Sequence, residues 1–309
     1  MKKMVLGVLA AVLVLIVSSY VFIPNVIELR SSAGVKATGE GLHRMLLSKE
    51  SVAMWWPGKT SNDSFYLNNN LYKIENSNIT LLHISINGQP TSLSTGLFLV
   101  SMMIDSTQLE WTGSMVTSYN PVKRFLRYLE AKNIRQDMNG ILKSIKRFYS
   151  KPENVYGIEI QKSYVSDSFL IATSGQCKGY PTNQYIYNLI DQLRKYAIRQ
   201  LAKETGYPML NVNTLDSINF DVRVAIPIDK LLPSSGDILQ KRMLGGGFIL
   251  VAEVKGGVSV TLKALQQLQR FVEDYQYRAP AIPFYSLITD RSIEPDSSKW
   301  ITKIYFPVK

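Results

Sequence analysis

The chain has 309 residues, with 35 Lys+Arg against 24 Asp+Glu, 46% hydrophobic residues and a single cysteine. That apolar content excludes wholesale disorder, and the lone Cys177 excludes a disulfide-stapled fold or a cysteine-rich zinc site. Only His43 and His83 remain as imidazole ligands, so no metal and no cofactor is expected, and the length suggests two domains of about 150 residues.

Residues 4–23, MVLGVLAAVLVLIVSSYVFI, carry no charge. A helix of that length rises about 30 Å, the thickness of a bilayer's hydrocarbon core. Lys2 and Lys3 precede it and Pro24 ends it. The pattern predicts an uncleaved single-pass signal anchor over 1–25, with a cytoplasmic N-terminus and extracytoplasmic (periplasmic) domains. A cleaved signal peptide fits less well, because its apolar run is normally about 7–15 residues and ends at a small-x-small site. The densest basic stretch, Lys123, Arg124, Arg127, Lys132, Arg135, Lys143, Lys146, Arg147 and Lys151, falls at helical spacing and reads as a solvated helix face. No nucleic-acid motif stands out, so nucleic acid is not expected as a partner.

The first folded segment spans residues 26–151. A short strand over 26–30 precedes a helix carrying Leu42, Met45, Leu46 and Leu47. Trp55 and Trp56 follow and are stopped by Pro57-Gly58. Short β runs are predicted at 65–67, 71–74, 79–86, 96–104 and 108–114, separated by turn signals such as Asn87-Gly88-Gln89-Pro90. Asn120-Pro121 starts a helix that runs to about residue 149, with a break near Asn133 left open.

This order resembles the helix-grip fold of the polyketide cyclase/START-like (SRPBCC) superfamily, and "MWWPG" is similar to an aromatic region common there. The resemblance implies a curved sheet around the last helix with an apolar cavity between them. Trp55 and Trp56 then line that cavity or pack the core; both readings stay open.

The second segment, 155–309, reads as β-β-α-β-β twice. Strands are predicted at 156–162 and 168–176, a helix at 182–205, and strands at 208–215 and 218–227. The order repeats with strands at 238–243 and 247–254, a helix at 259–276, and strands at 281–289 and 302–308. The stretches "FDVRVAIPID", "SSGDI", "VAEVKGGVSVTLKALQQL" and "YSLITDRSIEPDSSKWITKIYFPVK" resemble the GyrI-like small-molecule-binding domain. That domain is the effector-binding domain of bacterial multidrug-responsive transcription activators.

The resemblance implies an aromatic cleft for hydrophobic, often cationic, compounds. The position at which many members carry a glutamate is Tyr285 here, and their tyrosine position is Leu287. Tyr305 keeps the aromatic type of the final strand. Tyr285, Phe284 and Tyr305 are the implied ligand-binding residues, with a core role for Phe284 and Tyr305 equally open. Without the glutamate a general base is missing, because unperturbed tyrosine ionises only near pH 10, so no catalytic residue is assigned.

The sequence thus predicts an α+β chain: a transmembrane helix, a START-like domain and a tandem GyrI-like domain. The expected partners are the membrane through residues 4–23, a hydrophobic small molecule, and a protein of unknown identity. The expected role is binding or sensing. The alternatives are a hydrolase or cyclase acting on a hydrophobic small molecule, or a partner-binding scaffold.

Overall fold

The computed structural model describes residues 2–61, 64–78, 80–87 and 92–309. The strand start expected at Ile79 and the turn at Gly88-Gln89-Pro90 lie outside the described residues. The chain divides into two compact units, Met1–Val155 and Tyr156–Lys309.

The first helix, α1, covers Lys2–Phe22. The membrane anchor expected there is not supported, because among the described residues no helix is long and apolar enough to cross a membrane. The single-pass placement with extracytoplasmic domains loses its basis with the span. The end of α1 is instead tied to a later helix. Tyr20 donates its hydroxyl proton to the Tyr119 carbonyl, and the Arg124 guanidinium lies 5.1 Å from the Tyr20 ring centre. Arg124 also donates through Nε to the Ile23 carbonyl at 3.0 Å and through Nη2 to Asn25 Oδ1 at 3.0 Å. Arg124 is therefore buried, unlike the solvated role expected of it, because it satisfies the carbonyl that ends α1.

The first unit continues with β1 (Val26–Val35), α2 (Gly39–Leu47) and α3 (Lys49–Trp55). Six strands follow: β2 (Lys59–Ser61), β3 (Ser64–Leu67), β4 (Asn70–Asn78), β5 (Leu81–Asn87), β6 (Ser92–Met103) and β7 (Ser106–Val116). The seven strands form one antiparallel sheet in the order β1-β7-β6-β5-β4-β3-β2. The register Val26↔Val116 to Val35↔Thr107 brings the first strand beside the last. The long helix α4 (Pro121–Tyr149) packs on β1 and β7. Asn120 caps it by accepting from the Val122 and Lys123 N–H groups at 3.0 and 3.1 Å, and Pro121 occupies the first turn. Its buried stripe holds Ala131, Ile134, Met138, Ile141, Leu142 and Ile145, and it runs through Asn133 without a break.

One polar residue interrupts that stripe. Asp137 is 4% exposed and accepts from Asn68 Nδ2 at 2.5 Å, Asn70 Nδ2 at 2.9 Å and the Tyr72 hydroxyl at 2.9 Å. Asn68 has φ 52, a left-handed turn conformation that asparagine tolerates. The carboxylate therefore clamps the β3–β4 turn to α4. Asp137→Ala leaves the buried Tyr72 hydroxyl without its acceptor and frees the Asn68 and Asn70 amides, and we expect a loss of about 3 kcal/mol in urea unfolding of the full chain. A loss well under about 1 kcal/mol would mean that water replaces the carboxylate.

The second unit holds β8 (Gln161–Tyr164), β9 (Ser168–Lys178), α6 (Asn183–Arg199), β10 (Met209–Thr214) and β11 (Asn219–Ile228). It continues with β12 (Leu239–Met243), β13 (Phe248–Lys255), α7 (Val258–Asp274), β14 (Phe284–Leu287) and β15 (Ile301–Val308). A short helix, α5 (Pro152–Tyr156), occupies the stretch before β8. The strand expected from residue 156 begins five residues later, because α5 extends to Tyr156 and Gly157 turns the chain at φ 71. α6 is shorter than expected, since Leu201 turns the chain out at φ 53.

The eight strands form one sheet in the order β12-β9-β11-β10-β14-β15-β13-β8. The order is palindromic about the β10–β14 seam: β9-α6-β10-β11 makes one half and β13-α7-β14-β15 the other. The leading strands are exchanged. β8 pairs with β13 of the second half, and β12 pairs with β9 of the first. α6 packs on β9 and β11, and α7 on β13 and β15, so both helices cover inner-face residues such as Ile171, Val224 and Ile304.

Candidate functional site

The period of a strand divides the three residues expected in the cleft of the second unit. Tyr285 on β14 is directly opposite Leu210 of β10 and Ile304 of β15. Opposite residues of an antiparallel ladder point to the same face, so Tyr285 faces the covered side and is only 6% exposed. Phe284 and Tyr305 are opposite each other one step along and point to the other face. There their rings stack, with centroids 5.0 Å apart and planes 12° apart. The structure therefore brings Phe284 and Tyr305 together and sets Tyr285 apart from both.

Sequence reasoning did not single out four further residues: Tyr180 and Arg291, whose groups act electrostatically on the Tyr285 phenol, and Tyr187 and Trp300, which contact Arg291 in turn. Tyr187 comes from the buried stripe of α6. Tyr180 stands at the rim, just after Gly179 at φ 73, with its ring 5.8 Å from that of Phe220. Arg291 and Trp300 come from the loop between β14 and β15.

That loop, "TDRSIEPDSSKW", is a chain of local side-chain turns. Asp290 accepts from the Ser292 N–H at 2.9 Å, and Asp296 from the Ser298 N–H at 3.0 Å. Thr289 Oγ1 accepts from the Ile301 N–H at 2.9 Å. The Arg291 N–H donates to the Tyr187 hydroxyl at 2.7 Å, which fixes the loop to α6. Between these anchors Arg291 turns inward and is 8% exposed. Its Nη2 donates to Thr302 Oγ1 at 2.6 Å, and its guanidinium lies 4.7 Å from the Trp300 ring centre. Trp300 is held in turn by its Nε1, which donates to the Glu294 carbonyl at 2.9 Å.

Burial dominates the electrostatics. It pushes the Tyr285 phenol well above its ordinary range; the nearby Tyr180 adds to that and Arg291 opposes it. Burial likewise raises the Tyr187 and Tyr180 phenols. All three are therefore neutral hydrogen-bond donors and none is a general base at neutral pH. Glu253 is exposed, with its carboxylate 3.4 Å from Lys303 Nζ, and is not part of the set. The arrangement can hold a ligand by aromatic faces, hydroxyls and one cation; it carries no nucleophile–base pair.

In the first unit the expected START-like cavity is filled. Trp55 is buried, and Trp56 stacks obliquely on Phe65 and Tyr72 at 5.3 and 5.4 Å. The void among Trp55, Trp56, Tyr72 and Trp111 is about 20 Å³, enough for roughly one water. Ile141 and Ile145 line it from α4, and Tyr149 packs edge-on against Trp55 at 6.2 Å, its phenol pushed up to about 12 by burial, with the Ser51 hydroxyl 2.6 Å away. A wider groove of about 1040 Å³ runs past Asn69, Leu126, Leu129, Asn133 and Gln136 to Asp137, whose oxygens are already engaged as described.

No family model matches the chain, and no curated protein matches it by sequence. Solved structures similar to it include the C-terminal domain of EcmrR, at 18% identity and TM-score 0.43, covering 49% of this chain and 98% of that one. SAV2435 bound to tetraphenylphosphonium matches at 18% identity and TM-score 0.34, covering 49% and 94%. A hydrolase from Listeria innocua matches at 11% identity and TM-score 0.38, covering 49% and 92%.

Acid is expected to loosen the β14–β15 loop. For Asp290, burial pushes the carboxyl up, but the Ser292 bonds and the Arg194 charge outweigh it and hold it below the ordinary 3.8. For Asp296 the Ser298 bonds have the same effect. A lowered folded-state value stabilises the loop above pH 3.8, and that stabilisation is lost as pH falls through the lowered value. Amide NMR shifts of Ser292 and Ser298 followed from pH 7 downward should hold steady to about pH 4 and move below it. Midpoints at or above the ordinary aspartate value would contradict these turns.

Proposed function

We propose that the second unit binds a hydrophobic small molecule, as a receptor or sensor, at the inner-face cluster around Tyr285. One observation carries this reading. Tyr180, Tyr187, Tyr285 and Trp300, from three different parts of the unit, converge with a few polar groups beside the seam where the two halves meet. Apolar walls with a few placed polar atoms are what a small-molecule site needs. The resemblance of the sequence to GyrI-like domains supports the same reading.

Burial keeps the Tyr285 phenol protonated, so that residue supplies no general base at neutral pH. The stacked Phe284–Tyr305 pair on the outer face favours a second reading, in which ligand lies on the open side of the sheet.

The two faces can be separated by calorimetric titration of the full chain with N-phenyl-1-naphthylamine, an uncharged aromatic probe. Inner-face binding predicts one saturable site weakened about tenfold or more by Tyr285→Ala, a loss of about 1.4 kcal/mol, and untouched by Phe284→Ala. The opposite pattern would move the site to the outer face. No saturable binding to the unmodified chain would end the receptor reading.

A further inference from the structure

Arg291 is the one fully charged member of the inner cluster, and it lacks a counter-ion. Its Nε is buried and has no hydrogen-bond partner. Among the described residues no carboxylate pairs with it. Asp290 turns to Ser292, Glu294 lies 3.7 Å from Lys299 Nζ, and Asp296 bonds Ser298. The groups that touch the guanidinium are Thr302 Oγ1 and the Trp300 ring, and the phenols of Tyr180, Tyr187 and Tyr285 lie within its electrostatic reach. All of these are neutral.

A guanidinium does not escape burial by losing its proton, so the site holds a permanent positive charge in a dry, aromatic setting. A buried cation without an anion is costly, and the least costly relief is an anion brought in from outside. The planar fork of arginine matches a carboxylate, with Nε and one Nη donating in parallel. Aromatic walls on several sides suit an apolar ring more than a heavily hydrated group such as a phosphate dianion.

We propose that the inner site selects an aromatic or apolar monocarboxylate, whose oxygens take the free valence of Arg291 Nε while its apolar body lies among Tyr180, Tyr285 and Trp300. This deepens the small-molecule reading above and depends on it. Tyr180, at the half-open rim after Gly179, lies on the route by which such a ligand enters.

The test uses the full chain and three probes in calorimetric titrations: 1-naphthaleneacetate, its uncharged amide, and tetraphenylphosphonium. The acid should bind about tenfold or more tighter than the amide, as expected for one charge-assisted hydrogen-bonded pair, and tighter than the cation. Arg291→Met should erase the difference between acid and amide, and Arg291→Lys should retain part of it. A second readout needs no variant: the Arg291 Nε–H resonance should move downfield when 1-naphthaleneacetate is added and stay in place with the amide. Equal binding of acid and amide, a preference for the cation, or an acid preference that survives in folded Arg291→Met would overturn the charge selection while leaving the receptor reading intact. If none of these probes, nor N-phenyl-1-naphthylamine, binds the unmodified chain, both readings fall together.

Discussion

Two ladder pairs hold the second unit together as one sheet. Met209↔Ser286 and Leu210↔Tyr285 pair across the β10–β14 seam, the Leu287 N–H donates to the Pro208 carbonyl at 2.9 Å beside them, and every strand on either side is ordered outward from the seam. The seam decides what Tyr285 can touch. Because Leu210 and Ile304 flank it on the same face, Tyr285 is turned to the covered side, where Tyr180, and Arg291 of the β14–β15 loop, act on its phenol. The exchanged leading strands cap the two outer flanks, β12 beside β9 and β8 beside β13. Each half therefore depends on the other for an edge, which favours keeping the halves in one sheet.

The inner site shows a balance between stability and recognition. Burial of the Arg291 side chain is offset in part by Trp300 and Thr302, while Tyr187 satisfies its backbone N–H. A satisfied core would place an aliphatic residue there. Keeping an arginine instead leaves one donor unmet in an aromatic shell, and unmet buried donors are uncommon in folded proteins. The loop that carries Arg291 is correspondingly stiff, because successive aspartates and serines close it with bonds of short span.

The first unit fills its interior with aromatic rings. Trp55, Trp56, Phe65, Tyr72, Trp111 and Tyr149 fill the space between sheet and long helix, leaving room for roughly one water. The polar contact there, Asp137 with Asn68, Asn70 and Tyr72, is complete and so reads as a clamp. Its neighbour Tyr72 is pushed further from ionisation by burial and by the Asp137 charge, which keeps the donated proton on the phenol.

Much of this was legible in the sequence, and the limits have physical causes. Local signals were sufficient for the start of α4 at Asn120-Pro121, for the twice-repeated strand and helix order, and for most strand positions, because capping, turn chemistry and periodicity act over a few residues. The period of two already separates Tyr285 from Phe284; grouping them in one cleft followed family resemblance rather than that period. An uncharged run at the N-terminus suggested a membrane span, whereas among the described residues no helix is long and apolar enough to cross a membrane, and the end of α1 is tied to α4. Only the tertiary structure decided the exchange of β8 and β12, the filling of the cavity beside Trp55, and the burial of Arg291. Strand partners are chosen by long-range register, and a filled groove has the same composition as an open one. An arginine in a loop carries no periodicity to reveal that Trp300 and Thr302, from the far end of its loop, and Tyr187, about a hundred residues earlier, meet it.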